Sequence, residues 1–206
     1  MAGIDKPGQR MNILGIGGYS HDSAAALVCG GQLAAAVAEE RLSRVKHQGG
    51  APMLAAAWCL EQAGLAPRDL DHACAYMRPG LRVGRRLAYR LGTALRNPVY
   101  SAAYGAYECV HNARYIRDMR ALAGEARLHF MEHHPAHAAS AFLASPYDEA
   151  ALLTIDYVGE FGATWGGVGR GTAMTRLFQI DYPHSLGVFY SAVTDYLGFL
   201  RASDEY

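Results

Sequence analysis

Three short apolar runs, each cut off by glycine or polar residues, constrain this chain more than any other feature. Asn12-Ile13-Leu14-Gly15-Ile16-Gly17 is the first, Ser23 to Val28 the second and Gln32 to Val37 the third, with Gly30-Gly31 between the last two. Runs of this length suit buried strands, and the glycine pair is a hairpin signal. Many of these positions are alanine, a poor strand former, so the reading leans on the turn rather than on propensity. Further on, Pro52 to Ala63 has proline in its first turn, apolar Met53, Leu54, Ala57 and Leu60, and Gly64 at its end, which together predict a helix. Leu70 to Tyr76 reads as a strand. Leu81, Leu87, Leu91 and Leu95 space out an irregular amphipathic helix, and Pro98 to Leu122 a longer one. Arg127 to Met131 reads as a strand, Pro135 to Leu143 as a short helix and Ser145 to Asp148 as a break. Ala150 to Ile155 is then a strongly apolar strand ending in Asp156. Gly162 to Gly171 is glycine-rich, Met174 to Ile180 is strand-like, and Leu186 to Leu197 closes as a helix. Strands and a hairpin first, then helices alternating with strands, make an α/β pattern, and the new strands from about residue 149 begin a second lobe.

Composition narrows the classes. Of 206 residues, 51% are hydrophobic and 18% charged, enough apolar material for a packed core. Lys+Arg and Asp+Glu are 19 each, which leaves no basic footprint for nucleic acid. No apolar run is long enough to span a membrane. Met1 to Arg10 is polar and carries no apolar signal stretch, so residues 1–11 read as a flexible leader and the expected compartment is cytoplasmic. Cys29, Cys59, Cys74 and Cys109 form no CxxC pair, so reduced, mostly buried thiols are expected. Residues 72–107 hold six arginines and no acid, either a solvated helix face or a docking surface for an acidic partner. Tyr100, Tyr104, Tyr107 and Tyr115 are expected to serve core or interface packing rather than ligand stacking.

The residues that carry chemistry fall in three clusters. In Glu132-His133-His134-Pro135-Ala136-His137, the two outer histidines are four residues apart. On a helix that spacing puts both imidazoles on one face, close enough to share a metal, and Pro135 is tolerated in the first turn. Asp156, at the tip of a strand, would complete a two-histidine, one-carboxylate set with open positions, suited to Fe(II), Zn(II) or Mn(II). The bland alternative is a pair of surface histidines and a turn-capping aspartate. Gly15 to Ser23 runs from strand through a small polar turn into strand, a place where backbone N–H groups can hold phosphate oxygens and His21 can act as acid or base. A plain hairpin turn is its alternative. Glu39 to His47 has mixed charge and reads as a solvated loop.

These pieces, together with Leu153-Thr-Ile-Asp-Tyr-Val-Gly-Glu and Pro183-His-Ser-Leu-Gly-Val-Phe-Tyr-Ser-Ala, resemble the NodU/CmcH-type O-carbamoyltransferases in five motifs spanning residues 12–192. The resemblance implies the actin/Hsp70-like ATPase (ribonuclease H-like) superfold, similar to the tRNA threonylcarbamoyladenosine enzyme. It further implies a first lobe over 12–148 and an incomplete second lobe over 149–206. In that family a C-terminal YrdC-like domain makes carbamoyl adenylate from carbamoyl phosphate and ATP, and the N-terminal domain passes the carbamoyl group to a hydroxyl, with a bound iron ion. By motif match His133, His137 and Asp156 would bind Fe(II) or another divalent metal, with Asp156 also near the carbamoyl adenylate. His21 would lie at the reacting carbamoyl group, Lys46 near the acceptor and Gly187 near the adenylate. The implied partners are a small-molecule hydroxyl acceptor and a separately encoded YrdC-like domain, with no nucleic acid and no membrane.

Three departures accompany the match. Family chains are several times longer, Asp204 stands where the family has glycine, and Tyr157 stands where the family usually has glycine, next to Asp156. A truncated product, one half of a split enzyme or a binding module without catalysis is therefore expected, with little transfer by this chain alone. The threonylcarbamoyl-transfer enzyme is the nearest rival, but Ser20-His-Asp-Ser-Ala and Glu39-Glu-Arg-Leu-Ser-Arg resemble the O-carbamoyltransferases.

Overall fold

The computed structural model describes residues 11–201, so all of the expected leader except Met11, and Asp204 with its neighbours, lie outside the described residues. The chain begins β1 (Asn12–Gly17), β2 (Ala24–Cys29), β3 (Gln32–Ala38), α1 (Glu39–Ser43) and α2 (Met53–Gln62). It continues through β4 (His72–Ala75), α3 (Val83–Ala94), α4 (Pro98–Ala123), β5 (Arg127–Phe130) and α5 (His133–Phe142). It ends with β6 (Glu149–Gly159), β7 (Gly162–Arg170), β8 (Ala173–Asp181) and α6 (Leu186–Tyr196). No helix among the described residues is long and apolar enough to cross a membrane.

The described elements form two compact units, one within residues 11–79 and 97–131 and the other within 80–96 and 132–201. Residues 132–148, read above as the end of the first lobe, thus cluster with the second unit, and so does α3. The HxxxH helix accordingly shares a unit with the strand that carries Asp156.

In the first unit a five-stranded mixed sheet runs β3-β2-β1-β4-β5. β1 pairs antiparallel with β2 and parallel with β4, and β2 pairs with β3 as the hairpin expected from Gly30-Gly31. This puts β1 and β2 side by side in one sheet, as the hairpin-first reading of the sequence expects. Alternate residues Leu14, Ile16, Ala25, Leu27, Ala73 and Ala75 face one core. Against them α2 lays Ala55, Ala56, Cys59 and Leu60, and α4 lays Tyr115, Met119, Leu122 and Ala123. Alanine on both sides of this contact explains strands built from a poor strand former: small side chains let helix and sheet approach closely, and packing overrides propensity.

Two segments correct the sequence reading here. Glu39–His47 is not a plain solvated loop. Its start folds as α1, and Glu39 is buried, its carboxyl accepting the backbone N–H groups of Leu54 (3.1 Å) and Ala55 (2.7 Å) in the first turn of α2. Pro52 brings no capping side chain, so the donors that α2 leaves unpaired are met from a distant residue. The tyrosines of α4 also divide. Tyr115 is wholly buried, with its hydroxyl donating to the Met77 carbonyl and accepting the Met77 N–H, whereas Tyr100, Tyr104 and Tyr107 are exposed. Of the cysteines all are free thiols, but only Cys59 is fully buried and Cys109 is exposed.

The second unit holds an antiparallel sheet β6-β7-β8. Its middle strand is the glycine-rich segment, which the sequence reading left without a strand. A Cβ at Gly166 would lie 2.2 Å from the Phe178 ring, and one at Gly169 would lie 2.4 Å from the Phe142 ring. Glycine is thus the residue that lets aromatic rings from β8 and α5 lie across the strand. The opposite neighbours Leu153 and Phe178, and Ile155 and Ile180, leave exposed apolar side chains on one face of this sheet. The arginine run also belongs partly here. Arg82 reaches Gln179 (2.5 Å) and Asp181, and Arg85 pairs with Asp181, so these two members pin α3 to β8.

Candidate functional site

In the second unit, α5 begins at His133 after Glu132, whose extended backbone starts the helix. His133 and His137 stand one turn apart, with rings 4.5 Å between centroids. β6 does not end at Asp156, as read from the sequence, but continues to Gly159; its regular pairing with β7 stops at Ile155. Asp156 therefore sits where the ladder becomes irregular. Its Oδ2 lies 2.5 Å from His133 Nε2 and 3.6 Å from His137 Nε2, and the two Nε2 atoms are 3.0 Å apart. The Tyr157 N–H donates to Asp156 Oδ1 at 2.7 Å. Hydrogen bonding from His133 and then His137 holds the Asp156 carboxyl far below the usual carboxylate range.

This donor set fits a divalent cation. Two ring nitrogens that face each other at 3.0 Å beside a carboxylate form one hydrogen bond at most, whereas all three converge naturally on a shared positive charge. Ligands about 2.0–2.2 Å from a metal stand about 3.0–3.6 Å from one another, which two of the three separations match while His133 and Asp156 lie closer, at 2.5 Å. His134, between the two, points elsewhere: it is buried, its Nδ1 meets Thr154 Oγ1 at 2.8 Å, and burial pulls its titration below the ordinary histidine value.

Three residues hold this arrangement in place; the sequence reading gives a role only to Gly187, while Gly159 and Ser185 stand in its motifs without one. A Cβ at Gly159 would fall 2.1 Å from His133 Cδ2, so glycine makes the room for that ring. A Cβ at Gly187 would fall 2.6 Å from the Asp156 carbonyl oxygen and from the Tyr157 nitrogen, so the first turn of α6 lies directly on the backbone that carries Asp156. Ser185 fastens the same junction: Oγ accepts the Val188 N–H (3.1 Å) as the cap of α6 and approaches the carbonyls of Asp156 (3.0 Å) and Tyr157 (2.7 Å). A serine immediately before the helical run is a legible cap signal; the close approach at Gly159 leaves no trace in local sequence. Tyr157 beside Asp156 is 41% exposed.

In the first unit, His21 lies in the turn between β1 and β2, and Lys46 is exposed in the loop after α1. His21 Nδ1 meets Asp22 Oδ2 at 2.8 Å, and His47 Nδ1 meets Asp22 Oδ1 at 2.9 Å. Asp22, Glu40 and His47 gather their polar atoms within 4.8 Å of one another. Gly18 (φ 69°) makes this turn possible, since a Cβ there would strike the Asp22 carbonyl at 2.2 Å.

The chain is thus a two-unit α/β protein with a histidine–carboxylate cluster in each unit. Residues 12–206 match the family described as Carbamoyltransferase N-terminus, and the chain belongs to that family. It is 40% identical over 204 residues to an uncharacterised protein, sll1178, of Synechocystis, covering 95% of this chain and 33% of that one. It is 33% identical over 188 residues to the nodulation protein NolNO of Sinorhizobium fredii, covering 91% of this chain and 27% of that one. The chain thus spans about a third of the length of the curated relatives it matches. Among solved structures, YeaZ from Pseudomonas aeruginosa aligns over 84% of this chain and 68% of its own, with a TM-score of 0.43 and 13% identity.

Proposed function

We propose that this chain is the acceptor-carbamoylating part of an ATP-dependent O-carbamoyltransferase, acting on a hydroxyl of a small sugar-like or secondary-metabolite acceptor in the cytoplasm. The family match over residues 12–206 is the observation that carries this reading. The donor is carbamoyl adenylate, made from carbamoyl phosphate and ATP by a YrdC-like domain or partner. His133, His137 and Asp156 hold Fe(II) or another divalent cation, which when bound supplies positive charge to a carbonyl or phosphate oxygen. His21 takes the proton of the acceptor hydroxyl as its oxygen attacks the carbamoyl carbon, and AMP leaves with the electron pair of the broken C–O bond. Lys46 serves the acceptor and Gly187 the adenylate.

The test supplies labelled carbamoyl phosphate, ATP, Fe(II) and a YrdC-like protein, and follows label into a panel of amino-sugar and oligosaccharide hydroxyls. Transfer that requires this chain and falls at least a hundredfold in His21→Gln and Asp156→Asn supports the reading. Metal analysis of wild type and His137→Ala runs beside it. Equal metal content in the two would remove the histidines from that role, and label that reaches water but no hydroxyl would replace transferase with hydrolase.

A further inference from the structure

The first unit contains a second histidine–carboxylate cluster whose geometry is the reverse of the first. Around Asp156 the Nε2 atoms turn inward on the carboxylate. Around Asp22 it is the Nδ1 atoms that turn inward: His21 on Oδ2 and His47 on Oδ1. An ionised carboxylate only accepts hydrogen bonds, so each of these Nδ1 atoms carries a proton, and the Nε2 of neutral His21 is left with its lone pair. The His21 side chain is 75% exposed, so that lone pair is open to an incoming proton donor.

The chain spends conformational energy to hold this geometry. Asp22 (φ 50°) and His47 (φ 54°) both lie in the left-handed region, which residues with a side chain adopt only at a cost. The surroundings enforce it. Ser23 donates from its N–H (2.8 Å) and its Oγ (3.0 Å) to the Gln48 carbonyl, and Gly50 N–H donates to the Tyr19 carbonyl (2.7 Å). A Cβ at Gly49 would lie 2.6 Å from the Ser20 carbonyl oxygen, so the two loops touch backbone to backbone. Glu40 Oε2 accepts the His47 N–H at 3.0 Å and fixes the far end. Hydrogen bonds from His21 and then His47 keep the Asp22 carboxyl below its usual range, so the carboxylate is ionised wherever the imidazoles are neutral.

We propose that Asp22 and His47 are positioning residues for His21: His47 orients the Asp22 carboxylate through one oxygen, and the other oxygen locks His21 as the Nδ1–H tautomer with Nε2 as the proton acceptor. The inference rests on the reading of His21 as the group that takes the acceptor's proton. It adds a reason why an exposed histidine presents one nitrogen: a free imidazole favours the opposite tautomer, with the proton on Nε2. The Asp22 carboxylate thus meets the ring at Nδ1, leaving Nε2 to face the incoming proton.

The test is tautomer state, read without substrate. Long-range proton–nitrogen correlation spectra of histidine-labelled protein, at a pH where the imidazoles are neutral, assign His21 by its loss in His21→Gln. Wild type is expected to show His21 mostly as Nδ1–H. Asp22→Gly tolerates the left-handed backbone and removes the carboxylate; it is expected to return His21 to mostly Nε2–H. His47→Asn, also tolerant of that backbone, is expected to give a mixture. A wild-type His21 already mostly Nε2–H overturns the proposal whatever the variants do, and so does an unchanged tautomer in a folded Asp22→Gly. Absence of carbamoyl transfer to any hydroxyl would instead count against the proposed function and leave this readout unaffected.

Discussion

At the scale of single residues, the site depends on groups that carry no chemistry. Gly159 and Gly187 are open positions against which the His133 ring and the Asp156 backbone rest. Gly159→Ala would force the ring of His133 aside, and Gly187→Ala would press on backbone that has little room to give. Both are expected to weaken divalent-cation binding by roughly tenfold or more, a size usual for residues that orient metal ligands, as read by calorimetric titration with Mn(II). Binding equal to wild type in both would mean that the ring and strand relax without cost. Tyr19 makes a second, independent prediction. Burial, aided by the hydrogen bond to Asp118 (2.7 Å), pushes its hydroxyl up to about 12 from an ordinary value near 10. Because the folded-state value is raised, its contribution to stability is complete below pH 10 and is lost as pH climbs toward 12, where the unfolded chain gives up the proton and the folded chain keeps it. Stability measured in urea from pH 9 to 12 should therefore fall more steeply in wild type than in Tyr19→Phe. Parallel curves would show that the hydroxyl titrates alike in both states. Of these residues, the histidines are legible in sequence from their four-residue spacing, and Asp156 from its place at the end of an apolar run. Gly159 is not, because what it avoids is a ring 26 positions earlier in the chain.

At the scale of elements, the short amphipathic runs and their glycine or proline punctuation predict most helices and strands to within a few residues. β1, β3, α2, α4 and α6 all fall inside the segments read from pattern, give or take their ends. The misses share one physical cause: the deciding contact is remote. Glu39 looks like the start of a charged loop, yet it closes the N-terminus of α2, sixteen residues on. Glu39→Ala should leave one buried and one part-buried N–H donor unpaired and cost about 2 kcal/mol, seen as a lower urea midpoint with the slope unchanged. Glu39→Gln, which keeps one carbonyl acceptor, should recover part of it. A midpoint within error of wild type in the alanine variant would show that water reaches those donors. The basic face of α3 is a similar case, since Arg82 and Arg85 are engaged with β8 rather than held out for an acidic partner.

At the scale of the whole molecule, each unit has its own sheet and its own packing, and the second is the more demanding of its glycines. Gly169→Val would drive a branched side chain into the Phe142 ring, and no small shift of a packed aromatic accommodates that. Hydrogen exchange should then speed up across β6, β7 and β8 while β1, β2 and β4 keep their protection; loss of protection in both sheets together would show that they unfold as one. The sequence by itself determined the α/β class, the hairpin at its start, the HxxxH helix and the family, because those depend on short-range periodicity, turn chemistry and motif spacing. Only the tertiary structure decided that the glycine-rich stretch is a central strand, that Glu39 lies inside, that α3 and α5 join the second unit, and that Asp22 takes two imidazoles by their Nδ1 atoms. Each of those outcomes is fixed by a partner far along the chain, and which distant groups meet is set by how the layers pack, a quantity that local propensity does not contain.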